Sequence, residues 1–194
     1  MDKVFDRRQQ LLDAALEEFS QRSFDEASIN QILKNAGISK GVFYYHFKDK
    51  EALYMCLMEE ASGVKWRFIS EELQNQDNGF GDIFELFRMQ AQAGIRFAQQ
   101  YPIYHQFARI LAREKNPVIR AHIDAEFAQS DKLEKMVEQA IKQGDFSPVY
   151  SKKFLIALIG FLFAHFDDVF PNERDAYESL DSYIFMMENG LGRK

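Results

Sequence analysis

The stretch Ile38-Ser39-Lys40-Gly41-Val42-Phe43-Tyr44-Tyr45-His46-Phe47-Lys48-Asp49-Lys50-Glu51-Ala52-Leu53 decides how this chain is read. Ser39 is a residue type that caps helices by accepting from a backbone N–H. Ile38 just before it and Phe43 one turn in form a hydrophobic staple, which fixes the angle at which the chain enters the helix. At about 100° per residue Phe43 and Phe47 lie within about 40° of each other, so they make the buried face. Gly41, Val42 and Tyr45 then point away from the core, with Lys40 and Tyr44 on one flank and His46 on the other.

Upstream, Ser28-Ile29-Asn30-Gln31 reads as a capping box, in which Ser28 accepts from the Gln31 amide while Gln31 reaches back. Behind it Ile29, Ile32, Leu33 and Ala36 form one face of a helix of about two turns, ended by Gly37. Before that, Leu11, Leu12, Ala15, Leu16 and Phe19 make the stripe of a first helix. Two short helices joined by a tight glycine turn make a helix-turn-helix. Downstream, Asp49 caps a long fourth helix running to about Leu73, and Gln74-Asn75-Gln76-Asp77-Asn78-Gly79 is a loop by composition.

Further on, Phe84, Phe87, Ala91, Ile95 and Ala98 repeat at helical spacing up to Tyr101-Pro102, where a short helix begins. Asn116-Pro117 opens a long helix expected to stop near Gly144. Ser151 caps Lys152 to Phe166, and Pro171-Asn172 precedes a helix with the stripe Tyr177, Leu180, Ile184, Met187 and Leu191. No strand pattern, internal repeat or low-complexity segment is present. The expected fold is all-α with about nine helices: a three-helix N-terminal domain over 1–50 and a larger helical domain over 51–194.

The 194 residues carry 24 Lys and Arg against 30 Asp and Glu, a net charge of −6 that looks wrong for a nucleic-acid partner. The distribution changes that reading. Residues 28–50 hold Lys34, Lys40, Lys48 and Lys50 against Asp49 alone, so a small basic window precedes an acidic body. The single cysteine, Cys56, excludes an internal disulfide framework and any multi-cysteine metal site. The N-terminus goes directly into charged residues with no apolar signal core, and the longest apolar stretch, Phe154 to Ala164, is too short for a bilayer of about 30 Å. A soluble, cytoplasmic protein without membrane partners is expected.

An exposed helix face of two tyrosines, a glycine, a lysine and a histidine suits a major groove, which admits one α-helix. Gly41 would let the backbone approach base edges. Tyr44, Tyr45 and His46 can donate to phosphate oxygens on the groove walls, with Lys48 and Lys50 adding cationic contacts. The competing reading is an amphipathic helix whose tyrosines sit half-buried at a domain junction.

These residues, with their spacing and position near the N-terminus, resemble the signature of the TetR family of bacterial transcriptional regulators. The likeness covers about 50 residues. It implies a homodimer that offers one helix-turn-helix to each half of a palindromic double-stranded DNA operator. It places Lys40, Gly41 and Val42 near bases, and Tyr44, Tyr45, His46 and Lys50 on phosphates. Ser28 would meet a phosphate through its hydroxyl and the helix N-terminus. Val42 is apolar where relatives often carry a polar residue, which points to a thymine methyl. By the same resemblance 51–194 binds a small-molecule effector and dimerises, and the regulator is a repressor released by that effector.

Nineteen phenylalanines are many for a core of this size. Phe84, Phe87, Phe97, Phe107, Phe127 and Phe163 are candidates to line a cavity for an apolar or aromatic effector, with Gln90, His105 and Arg109 to orient it. Phe154 to Ala164 is apolar nearly all round, as for a helix buried on both sides. With the last helix it can form half of an intersubunit four-helix bundle through Phe154, Leu158, Phe161, Tyr183 and Met187, or else complete a monomeric core. His165 with Asp168, joined by His122, is a possible cation pair but reads better as helix-end chemistry, so no metal and no cofactor is expected. No phosphate loop, dinucleotide fingerprint, His-Glu-x-x-His or nucleophile elbow occurs, so an enzyme is not expected. The remaining alternatives are a helical ligand-binding or scaffold dimer without DNA binding and, behind it, an all-helical enzyme.

Overall fold

The apolar stripe of the first helix is buried: Leu11, Leu12, Ala15 and Phe19 are all closed to solvent along α1 (Lys3–Phe19). A computed structural model describes residues 3–74, 81–129, 132–170 and 173–193. Ten further helical segments follow: α2 (Ile29–Ala36), α3 (Lys40–His46), α4 (Lys50–Gln74), α5 (Ile83–Gln100), α6 (Pro102–Ala112), α7 (Pro117–Gln129), α8 (Lys132–Gln143), α9 (Lys152–Ala164), the single turn α10 (Phe166–Val169) and α11 (Glu173–Leu191). Among the described residues there is no strand, only one backbone bridge between Phe146 and Gly192. Of the loop expected over 74–79, Gln74 ends α4, and 75–79 lie outside the described residues, as does the Pro171-Asn172 start signal.

Local chemistry accounts for most boundaries. Asn116 Oδ1 accepts from the amides of Val118 (3.0 Å) and Ile119 (3.2 Å), with Pro117 opening α7. Ser151 Oγ accepts from Phe154 N–H at 3.2 Å at the start of α9. Gly144, at φ 86°, ends α8 in the left-handed region while Asp145 N–H returns to Ala140 C=O at 3.0 Å. Two expectations need correcting. The single helix from Pro117 to Gly144 is two elements, α7 and α8, and the helix expected to reach Phe166 stops at Ala164, with α10 starting anew after His165.

The chain packs as two compact units, Met1–Arg67 with Phe97–Ala125, and Phe68–Arg96 with Glu126–Lys194. This packing partition differs from the division at residue 50 read from the sequence, because α6 and the start of α7 join the N-terminal helices. In the first unit α1 packs on α2 and α6, around Leu12, Phe19, Ile32, Phe43, Tyr54 and Phe107. In the second, Phe84, Phe87, Leu155, Ile159, Ile184 and Met187 form the core. Each such side chain contributes roughly 1.5–3 kcal/mol by leaving water.

In the second unit α9 and α11 each bury one face and expose another apolar one. Leu155 and Ile159 are buried, while Phe154 and Phe161 are 46% and 59% exposed. On α11 the stripe Leu180, Ile184, Met187 and Leu191 is buried, while Phe185 and Met186 stand out to solvent. Two of the residues expected between subunits make contacts within their own unit. Met187 belongs to the core of its own unit. Tyr183 is half-buried, donates from its hydroxyl to Leu162 C=O at 2.6 Å and packs edge-on to Phe166 at 5.0 Å. The physical reason is rotation: Phe185 lies about 200° around the helix from Met187, so the most apolar stripe faces inward and its opposite remains outside.

Candidate nucleic-acid interface

The turn between α2 and α3 is built as a glycine cap. Gly37 sits at φ 65°, its N–H on Lys34 C=O (3.2 Å), and Ile38 N–H returns to Leu33 C=O (3.0 Å). Ser39 Oγ then accepts from Val42 N–H at 3.4 Å, opening α3. Phe43 and Phe47 are buried, with ring centroids 6.2 Å apart. Phe47 adopts φ −135°, ψ 131°, which ends the helix, and Asp49 Oδ1 accepts from Ala52 N–H at 2.9 Å to start α4. Both inward rings and both caps therefore lie where the spacing predicts.

The outer side of α3 carries Tyr44 at 62% and Tyr45 at 76% exposure, which is too much for tyrosines half-buried at a junction. Lys40, Gly41 and Lys48 are exposed, and Val42 and His46 are half-buried. Tyr44 stands edge-on to Phe43 (5.0 Å) and Tyr45 edge-on to His46 (5.0 Å), so neighbouring rings prop the two phenols. Nothing within the fold requires glycine at 41: an added Cβ would meet only Ser39 Oγ, at 3.9 Å.

Ser28 is exposed at the start of α2, and its Oγ accepts from Gln31 N–H at 3.4 Å. The return arm of the expected capping box is absent. Gln31 Nε2 donates instead to Asn35 Oδ1 at 2.8 Å, and Ser28 N–H is taken by Glu18 Oε1 at 3.0 Å. Glu18 is buried and also holds Arg22 at 2.7 Å. Lys50 is placed otherwise than expected for a phosphate contact. Its Nζ donates to Phe24 C=O (2.6 Å) and Ala27 C=O (3.0 Å) and lies 4.5 Å from the Phe24 ring centre. It therefore braces the loop between α1 and α2. Glu18 and the inward use of Lys50 left no signal in the sequence, where both read as ordinary charges on amphipathic helices.

The residues expected around an effector fall into two clusters. Phe107 packs against Tyr54 at 5.5 Å in the N-terminal unit, where Arg109 on α6 also belongs. In the other unit Phe84 and Phe87 are edge-on at 6.4 Å, and Phe87 meets Phe163 at 5.2 Å. Gln90 Nε2 reaches Met136 Sδ at 4.0 Å. The side chain of Phe127 lies outside the described residues. Helical spacing identified these rings as inward-facing but could not say which core each enters.

His122 Nε2 is 3.1 Å from Glu51 Oε1, and the His165 ring lies 4.4 Å from that of Phe161. The Asp168 side chain lies outside the described residues, and no group of three metal-ligating side chains occurs among the described ones. Cys56 accepts from Arg8 Nη2 at 2.9 Å, yet burial pushes its thiol pKa up, which keeps it protonated and poorly nucleophilic.

A short helix with both rings anchored inward and a polar face outward, set behind a glycine turn, forms the second helix of a helix-turn-helix. The sequence profile described as bacterial regulatory proteins, tetR family, matches residues 11–55, so the likeness to that family rests on the N-terminal helices. The HTH-type transcriptional regulator AcrR of Shigella flexneri is 44% identical over 52 residues, 27% of this chain and 24% of the relative. An HTH-type transcriptional repressor of Mycobacterium tuberculosis is 36% identical over 59 residues, 30% and 32% of the two. These matches thus span about a third or less of the relatives' own length. Among solved structures, a TetR family transcriptional regulator from Chloroflexus aurantiacus has a TM-score of 0.73 at 23% identity, covering 100% of this chain and 99% of that one. The regulator FadR from Bacillus subtilis, in complex with stearoyl-CoA, has 0.76 at 16%, covering 94% and 98%. At such identities the likeness concerns the fold alone. No helix among the described residues is long and apolar enough to cross a membrane.

Proposed function

We propose that the protein is a DNA-binding transcriptional regulator, a repressor whose two copies read a palindromic operator and release it when a small apolar or aromatic molecule binds within 51–194. The observation that carries this reading is the outward face of α3: Tyr44 and Tyr45 are held in solvent by a helix whose phenylalanines are fully used as anchors. In this assignment Lys40, Gly41 and Val42 meet base edges. Tyr44, Tyr45, His46, Lys48 and Ser28 meet phosphates, which fixes register without reading sequence. Lys50 acts from behind, on the loop ahead of α2.

The exposed apolar faces of α9 and α11 support a second copy of the chain as partner, with Phe154, Leu158 and Phe161 facing Phe185 and Met186 across a four-helix bundle. Two copies would set their recognition helices one groove period apart, about 34 Å, and an effector would act by changing that spacing. The acyl ligand of the FadR complex supports an apolar effector. In this assignment Phe84, Phe87 and Phe163, with Gln90 on the same helix as the first two, meet it.

Fluorescence anisotropy with duplexes selected by the protein from a random-sequence pool tests the reading. Sequence-selective binding that weakens steeply with salt is expected. Absence of any selected sequence at low salt would refute it.

A further inference from the structure

The loop between α1 and α2 is tied to other segments at five polar atoms. Phe24 N–H donates to Glu114 Oε2 at 2.9 Å, and Phe24 C=O and Ala27 C=O accept from Lys50. Asp25 Oδ1 accepts from Asn116 Nδ2 at 2.8 Å, and Ser28 N–H donates to Glu18. Two of these ties come from the turn between α6 and α7, about ninety residues away in sequence.

Glu114 is the centre of that turn. Its carboxylate is buried, and its other oxygen accepts from Lys115 N–H (2.8 Å) and Asn116 N–H (2.9 Å). A buried carboxylate satisfied by three amides from two separate segments is a rigid bracket, since each oxygen serves a different segment. Glutamine has the same shape but only one acceptor oxygen, so it can serve one side of the bracket and not both.

Phe24 is also the loop's anchor in the core. Its ring meets Tyr54 edge-on at 5.3 Å, and Tyr54 in turn packs on Phe19 and Phe107. Four residues after Phe24 comes Ser28, the exposed cap of α2. The position of that cap therefore follows from where Phe24 is held.

We propose that Glu114 is a positioning residue of the DNA interface, fixing from the α6–α7 turn the loop that presents Ser28 and the N-terminus of α2. This rests on the DNA-binding reading above. It makes the α6–α7 turn a control point for the grip on phosphates, since moving the turn releases the loop while the recognition helix keeps its own fold.

The test compares the full chain with Glu114→Gln, Asn116→Ala and, as a control of reduced stability elsewhere, Ile184→Val. Amide hydrogen exchange is measured over 23–33, and affinity for a duplex selected by the unmutated protein and for a scrambled duplex, all at temperatures where every variant is fully folded. Glu114→Gln is expected to exchange at least tenfold faster over 23–33 and to bind both duplexes about five- to tenfold more weakly, by the same factor. Asn116→Ala should do so more mildly, and Ile184→Val should do neither. Unchanged exchange or unchanged affinity in Glu114→Gln would overturn the proposal, as would a loss confined to the selected duplex. If the unmutated chain selects no duplex, the DNA-binding reading falls and the interface role of Glu114 with it. Normal binding by the unmutated chain with an indifferent Glu114→Gln sinks only the present inference.

Discussion

Replacing Gly41 by alanine separates folding from DNA reading. Gly41 is exposed in the first turn of α3, and a Cβ there meets Ser39 Oγ at an ordinary 3.9 Å and nothing else. Alanine is favoured over glycine within a helix by roughly 0.5–1 kcal/mol, and a first-turn position realises part of that. The isolated protein should therefore be unchanged or more stable, by up to about 2–4 °C in a chain of this size. On a duplex, the methyl group stands where the backbone is argued to approach base edges. Losing that approach should cost about 1–3 kcal/mol, the range of a good base contact, hence roughly 5- to 150-fold in affinity. Thermal unfolding and anisotropy on a selected duplex give both numbers from one preparation. Affinity equal to that of the unmutated chain would refute the close approach, and a drop in Tm would refute the claim that the glycine has no internal duty.

Tyr44→Ala should weaken binding to every duplex by a similar factor, whereas Lys40→Ala or Val42→Ala should shift sequence preference; parallel selections for the three variants check this, and identical profiles would contradict it. Phe161→Glu, on the exposed face of α9, should give a folded monomer in light scattering, and a persisting dimer would remove α9 from the interface. The Tyr54 hydroxyl is buried with no hydrogen-bond partner among the described residues, and burial with the nearby Glu114 charge pushes its pKa up. Tyr54→Phe should accordingly leave stability unchanged or raise it by about 1 kcal/mol in urea unfolding. Burial also pushes the Tyr183 phenol up to about 12 from 10.0, so the folded state holds a proton that the unfolded chain loses first. That contribution is complete below pH 10 and is lost as pH rises towards 12, and Tyr183→Phe should flatten the alkaline limb of the stability profile.

The sequence by itself determined the helices of the first fifty residues and their orientation. Ser28, Ser39 and Asp49 cap, Gly37 turns, and Phe43 and Phe47 face inward because these are local matters of hydrogen-bond reach, backbone freedom and a 3.6-residue period. Tertiary structure alone decided what long side chains touch. Lys50 and Glu114 look like solvated charges in sequence, yet one braces the loop before α2 and the other grips it from ninety residues away. Likewise the apolar stripe of α11 was legible, but which side of it stays uncovered, Met187 inward and Phe185 outward, depended on where α11 lies against its own core. Periodicity gives a helix its faces, and only packing between distant segments assigns each face a partner.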